Sequence, residues 1–206
     1  MRDLTSVNVF LSHSQPSDIV RWGLKSAERP VLLTNFRPSS ISLIHLVTNL
    51  APKIPVVWID SGFNTEETYR YIQAVAGDMD LNLITYSPKM TSRHWQALHG
   101  DIPQIGSPLH DEFTELVKLE PFKRAMSDLN PDVWFTGIRK DQTDYRSNLE
   151  VLSPGPNDSL KMAPFINLTE TDVDQYILNN KLPVYLDYFD PTKGPEHREC
   201  GLQLLA

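Results

Sequence analysis

The 206 residues include 19 Lys plus Arg against 26 Asp plus Glu, a formal net charge of −7. This excludes general electrostatic binding to nucleic acid or an anionic membrane and requires any anionic ligand to meet a local basic cluster. Hydrophobic residues at 40 % and charged residues at 22 % fit one globular domain with a full core, while the single cysteine excludes an internal disulfide and a four-cysteine zinc or iron–sulfur site built by one chain.

Residues 1–5 lack the apolar core of a signal peptide, and no run of about 18 apolar residues occurs to span a bilayer. The expected compartment is the cytoplasm, where a lone thiol serves chemistry rather than stapling. The first predicted helix covers 16–27, with Ile19, Val20 and Leu24 near helical spacing and Trp22 beside them. A short apolar strand follows over 31–35, then a loop containing Phe36, Arg37, Ser39 and Ser40. Ile41, Ile44, Leu46, Val47 and Leu50 support a helix after it.

The second strand, 55–60, breaks at Ser61-Gly62; Asn64 with Glu67 three residues later predicts a capping box for a helix to about Ala76. A third strand is expected over 81–86, helices over 91–98 and 113–129, and a fourth strand over 133–137. Residues 149–152 and 160–163 read as a late hairpin across the Pro/Gly-rich 153–158. Thr169 caps a last helix to about Asn179, and 183–199 reads as irregular.

Strands alternating with helices predict an α/β fold: a single-domain twisted, mostly parallel sheet with helices on both faces. We assign residues 1–186 to this domain and 187–206 to a flexible C-terminal tail. Ligands in such a sheet bind beyond the carboxyl ends of the strands, which here carry 34–40, 60–62 and 137–140.

Those ends supply the candidate chemistry. Arg139, Lys140 and Arg146, with Gln142 among them, follow Gly137 at the end of the fourth strand. They suit phosphate or sulfate oxygens, although a solvated charged loop has the same composition. Thr34, Ser39 and Ser40 stand at a strand-to-helix turn that favours negative charge; their hydroxyls also serve as ordinary helix caps. Asp60 can accept from a ribose or amino group, or simply close a turn. His13, His45, His94, His99, His110 and His197 show no metal-ligand spacing. Cys200 lies in a polar terminal setting beside His197 and Arg198, which would stabilise a thiolate if the thiol is chemical rather than incidental.

From about Val31 to Leu202 these blocks resemble the phosphoadenylyl-sulfate (PAPS) reductases, thioredoxin-dependent enzymes of the adenine nucleotide α-hydrolase-like fold. The resemblance rests on Phe36; on Ile54-Pro55-Val56 leading into Asp60-Ser61-Gly62-Phe63, then Glu67-Thr68-Tyr69-Arg70; on Lys118-Leu119-Glu120-Pro121; on Trp134 through Gln142 with Arg146; and on Glu199-Cys200-Gly201-Leu202. It implies that Cys200 attacks the sulfur of PAPS, expels adenosine 3′,5′-bisphosphate and forms an S-sulfonate that thioredoxin or glutaredoxin resolves to sulfite. Thr34, Phe36, Arg37, Ser39, Ser40, Asp60, Lys118, Gly137, Arg139, Lys140, Gln142, Arg146 and Arg198 would then line the nucleotide site.

The family's adenylyl-sulfate branch uses a four-iron cluster on paired cysteines, so a lone Cys200 implies no cluster, no bound cofactor and PAPS as substrate. A homodimer is the family expectation. The chain departs from the family at Arg37-Pro38, where a Gly is common after the loop phenylalanine, at Gln203 in place of His, and in a shortened stretch before the tail. Two alternatives are a non-catalytic nucleotide-binding homologue and an adenylating enzyme of the same fold, the latter disfavoured by the missing Ser-Gly-Gly-x-Asp-Ser loop.

Overall fold

A computed structural model describes residues 4–186 and 190–192. Helices α1 (Leu4–Ser12) and α2 (Pro16–Ser26) precede the first strand. The sequence pattern signals only α2, because α1 scatters its apolar residues around its circumference: Val9 and Phe10 are 63 % and 64 % exposed while Leu11 is buried. Buried Asn8 attaches α1 to the sheet, its Nδ2 donating to the Leu152 carbonyl at 2.9 Å and its Oδ1 accepting from the Leu152 N–H at 2.8 Å.

The alternating units are β1 (Pro30–Thr34), α3 (Pro38–Leu50), β2 (Pro55–Ile59), α4 (Glu66–Asp78), β3 (Asn82–Tyr86), α5 (Ser92–His99), α6 (Pro108–Thr114), α7 (Glu120–Leu129) and β4 (Val133–Phe135). A short helix α8 (Asp144–Ser147), the hairpin strands β5 (Leu152–Pro154) and β6 (Leu160–Met162), and α9 (Glu170–Asn180) complete the fold. The six strands lie in the order β3-β2-β1-β4-β6-β5. All neighbours run parallel except β5 with β6, and the register sets Leu32 beside Val56 and also beside Phe135. The expected hairpin is present, and its return strand extends the parallel sheet by pairing with β4.

Period-two alternation distributes each strand between two cores. Leu32, Val56, Val133, Phe135 and Met162 enter one core with Ile41 and Ile44 of α3, Ile72 of α4 and Val173 of α9. Val31, Val57 and Trp134 point to the other, against Phe122, Ala125 and Met126 of α7. Helices therefore cover both faces, as expected.

Two local expectations are corrected. The cap of α4 is Thr65, whose side chain accepts from the Thr68 N–H at 3.2 Å; Asn64 lies one residue before the cap and donates its Nδ2 to Asp60 at 2.9 Å. The single helix expected over 113–129 is α6 and α7 joined by a π-helical turn, Glu115–Leu119. Pro121, at the start of α7, lacks the N–H for a regular i→i−4 bond, which favours that local widening.

Two helical glycines, Gly23 in α2 against the sheet and Gly77 in α4 with open space, give opposite tests of packing. A Cβ on Gly23 would lie 2.5 Å from Met162 Sδ and 2.9 Å from the Phe135 ring, whereas one on Gly77 meets nothing within 4 Å. Gly23→Ala is expected to destabilise by about 1–3 kcal/mol through overpacking, and Gly77→Ala in α4 to stabilise by roughly 0.4–1 kcal/mol. Thermal melts of the two variants check the opposite signs.

Candidate functional site

The chain leaves β1 toward β2 on one side and returns to β4 on the other, so the carboxyl ends of β1 and β4 flank a topological switch point, where open α/β sheets place ligands. In the loop after β1, Thr34 Oγ1 accepts from the Phe36 N–H at 3.0 Å, and Asn35 Oδ1 accepts from the Arg37 N–H at 3.1 Å and the Ser40 hydroxyl at 2.7 Å. These bonds hold Phe36 at φ 58. Phe36 is 1 % exposed and its ring meets Trp58 edge-on at 5.9 Å, so its ring serves the core and not a ligand.

Arg37 has φ −70 and ψ 165, extended geometry open to any residue; the left-handed position of this loop is Phe36. Arg37 is the N-cap of α3 and makes no side-chain cap, so the positive end of this helix fronts the crevice with its first N–H groups. Gly137, past the end of β4, closes the other wall. A Cβ there would stand 3.4 Å from the Ser39 carbonyl oxygen, so glycine lets the two loops meet.

Asp60 closes the turn after β2. Its Oδ1 accepts from the Gly62 N–H at 2.9 Å, Asn64 Nδ2 at 2.9 Å and the Tyr69 hydroxyl at 3.0 Å. Burial pushes the Tyr69 phenol up to about 12, with the charge and hydrogen bond of Asp60 adding to it, so Tyr69 remains a donor. Phe63 secures the same loop from outside, packing on Phe113 of α6 at 5.1 Å in the small core built on Trp95.

The basic residues are buried and already paired. Arg139, 6 % exposed, donates from Nε to Asp141 Oδ1 at 2.9 Å and from a terminal nitrogen to Oδ2 at 3.3 Å. Asp141 Oδ2 also accepts the Glu170 N–H at 2.9 Å, tying the loop to the start of α9. Gln142 Oε1 accepts from the Arg139 N–H at 3.1 Å and from the Arg146 guanidinium, and Arg146 is likewise 6 % exposed. Lys140 departs from this group: its N–H donates to the Ile166 carbonyl at 2.9 Å, and it lines a cleft of about 120 Å³ with Asn8, Val9, Ser12, Glu150 and Asn167 on the α1 side.

Lys118 sits in the π turn ahead of α7, next to Leu119, which packs against the core formed by Val31, Val57, Phe122 and Trp134, as do Ile59 and Tyr86 at the ends of β2 and β3. Its Nζ donates to Asp190 Oδ2 and, at 3.0 Å, to Thr192 Oγ1. Burial works against ionisation of Asp190, yet the charge and hydrogen bond of Lys118, with Thr192, hold this carboxyl below its ordinary range. The remaining candidates, Cys200 and Arg198, lie outside the described residues.

Sequence reasoning overlooked Asn35, Asp141 and Asp190. Asn35 carried a local signal, an Asx turn two residues before Arg37. The pairing of Asp190 with Lys118 spans 72 residues and had none. A larger cavity of about 640 Å³, lined by Pro30, Val31, Ile54, Pro55 and Leu129, opens at the amino ends of β1 and β2, away from the carboxyl edge where these polar groups converge. Among the described residues, no group of three His, Cys, Asp or Glu could hold a metal ion.

Residues 29–189 match the family model described as "Phosphoadenosine phosphosulfate reductase domain". The chain is 33 % identical over 183 residues to the phosphoadenosine 5′-phosphosulfate reductase of Photobacterium profundum, covering 88 % of this chain and 72 % of that one. It is 34 % identical over 185 residues to the Xanthomonas campestris protein of the same name, at 89 % and 76 % coverage. The structure of phosphoadenylyl-sulfate reductase from Candida auris, a phosphate complex, superposes with a TM-score of 0.78 at 23 % identity, covering 90 % of this chain and 93 % of that one, which shows the fold. FMN adenylyltransferase from Candida glabrata shares the fold more distantly, with a TM-score of 0.53, 13 % identity, and coverage of 76 % and 49 %.

The Arg139–Asp141 pair yields a stability test, since the two side chains are only 8 % and 33 % exposed. Asp141→Ala leaves the Arg139 guanidinium without its counter-charge and, with Asp141 a third exposed, is expected to cost about 1–3 kcal/mol, seen as a lower midpoint in urea. Adding Arg139→Met removes the stranded charge, so the double variant should regain much of the loss. A double variant no more stable than Asp141→Ala would assign the cost to the Glu170 N–H contact instead.

Proposed function

The chain belongs to the phosphoadenosine phosphosulfate reductase family, and from that premise we propose that it reduces 3′-phosphoadenylyl sulfate to sulfite and adenosine 3′,5′-bisphosphate in sulfate assimilation. The observation that carries the reading is the family match across residues 29–189 in a chain that also contains Glu199-Cys200-Gly201-Leu202. The crevice between β1 and β4 supports it on physical grounds, because donors from both loops converge there.

In this reading the Cys200 thiolate attacks the sulfonate sulfur. A sulfur–sulfur bond forms as the bond from sulfur to the bridging phosphate oxygen breaks, and adenosine 3′,5′-bisphosphate leaves with the electron pair. A dithiol protein of the thioredoxin or glutaredoxin class then attacks the Cys200 sulfur. Sulfite departs with two electrons, and the second thiol of the donor resolves the mixed disulfide and regenerates the Cys200 thiolate. This is covalent catalysis by a sulfur nucleophile, and cations placed along the leaving phosphate lower its barrier.

The α3 N–H groups with Ser39 and Ser40, assisted by Arg37, receive one phosphate. Thr34 and Phe36 shape that turn, and Gly137 admits the nucleotide's close approach to it. Arg139 engages Asp141 through only two nitrogens, and a guanidinium carries more donors than that. With Arg146, oriented by Gln142, it takes oxygens deeper in the crevice. Lys118 serves the 5′-phosphate beside the scissile sulfur–oxygen bond, and Arg198 steadies the thiolate. Asp60, saturated on Oδ1, keeps the second loop in place.

Lys140, placed against α1, contributes long-range charge for the extra 3′-phosphate that favours PAPS over adenylyl sulfate. One cysteine leaves no ligand set for an iron–sulfur cluster within a chain. Among the described residues no helix is long and apolar enough to cross a membrane; the cytoplasm and a homodimeric state complete the proposal.

Mixing the protein with PAPS in the absence of reductant is expected to leave an S-sulfonate on Cys200, read by peptide mass spectrometry. Cys200→Ser should abolish sulfite release while binding adenosine 3′,5′-bisphosphate within a few-fold of wild type, since it removes a bond-forming atom and not the pocket. Sulfite production by Cys200→Ser near the wild-type rate would remove the covalent mechanism. A higher kcat/KM for adenylyl sulfate in direct competition would overturn the substrate alone.

A further inference from the structure

Lys118 is a candidate anion-binding cation whose partner among the described residues, Asp190, comes from the far end of the chain. It follows Val117 in the π turn, a local widening of the kind that recurs at functional sites. Its side chain is 13 % exposed and that of Asp190 is 9 % exposed. The Asp190 carboxylate is fully used: Oδ2 takes the Lys118 ammonium, and Oδ1 takes the Thr192 N–H at 3.0 Å and the Thr192 hydroxyl at 2.7 Å. Thr192 Oγ1 also accepts from Lys118 at 3.0 Å. Lys118 is therefore held by a closed Asp190–Thr192 clamp, and that clamp lies a short way before Cys200 in the chain.

We propose that Asp190 is an internal occupant of the Lys118 anion site, which the nucleotide's oxyanion must displace to gain the lysine and which returns to expel the spent nucleotide. The inference rests on the reductase reading for the identity of that anion. Its physical basis is that an almost dry ammonium without a counter-charge is strongly unfavourable. Exchanging one anion for another keeps Lys118 paired on entry and on exit. It also lowers the apparent affinity of the ligand by the fraction of molecules in which Lys118 is open. The displaced pair, Asp190 and Thr192, precedes Cys200 in the sequence; filling the site opens the clamp, and emptying it restores it.

The alternative, a purely structural clip that steadies the chain beside α7, makes the opposite prediction. Isothermal titration of adenosine 3′,5′-bisphosphate into the full-length chain separates them. Asp190→Asn, which retains shape and the Thr192 contacts, should bind the nucleotide on the order of tenfold more tightly, the scale of one charge-assisted hydrogen bond. KM for PAPS and kcat should fall together as product release slows. Thr192→Val, which loosens the clamp without stranding Lys118, should tighten binding in the same direction by less, and it decides the matter if Asp190→Asn does not fold by circular dichroism. In the Lys118→Ala background, Asp190→Asn should add nothing.

Equal or weaker binding by both folded variants, or a gain that persists without Lys118, would overturn the exchange and leave the reductase reading standing. A wild-type chain that binds neither adenosine 3′,5′-bisphosphate nor PAPS would overturn both.

Discussion

The whole arrangement depends on β1 being an interior strand. It bonds to β2 on one edge and β4 on the other, and it alternates Val31 and Leu32 into opposite cores. A strand so enclosed must be apolar through its length and can become polar only where it leaves the sheet. That transition happens at Thr34, and the next six residues supply the turn bonds, the left-handed Phe36 and the start of α3. Because β2 and β4 lie on opposite sides of β1, their crossover connections separate at this point, and the crevice between the loops follows from topology.

Within that crevice, electrostatics obeys the constraint set by composition. A chain of net charge −7 that must receive a multiply charged anion needs buried cations, and buried cations need partners in the absence of ligand. Arg139 has Asp141 on its own loop, Arg146 has Gln142, and Lys118 has Asp190 from a remote segment. Such pairs add little net stability, because desolvation offsets most of their attraction. Their value is to keep cations oriented and dry. The Arg139 partner is anchored a second time by the α9 N-terminus, whereas the Lys118 partner is held, among the described residues, by Thr192 and the lysine itself. This difference in anchoring separates a fixed cation from an exchangeable one.

The loops differ in how they are held. Asp60, Gly62, Asn64 and Tyr69 form a local polar knot, and Phe63 adds an apolar attachment to α6. The first loop relies on the Trp58 edge contact with Phe36 and on Asn35. The Gly137 contact with Ser39 joins the β1 and β4 loops directly, so a shift in one is passed to the other.

Much of this was legible from residues alone. Continuous apolar runs such as Val31-Leu32-Leu33 and Pro55-Val56-Val57-Trp58, alternating with helical spacing, determined a parallel sheet and hence which loops would share an edge. The cluster of Arg139, Gln142 and Arg146 at a strand end, with Lys118 and Cys200 in family-like blocks, marked the candidate chemistry. The scattered apolar residues of α1, the π turn before Pro121 and the true cap at Thr65 were not legible, since each depends on competition among contacts that sequence spacing does not rank. Tertiary structure alone turned Phe36 inward, set Lys140 against α1 and brought Asp190 to Lys118. The physical reason is that periodicity reports which face of an element is buried, whereas the partner of a buried charge is chosen by the three-dimensional meeting of distant segments.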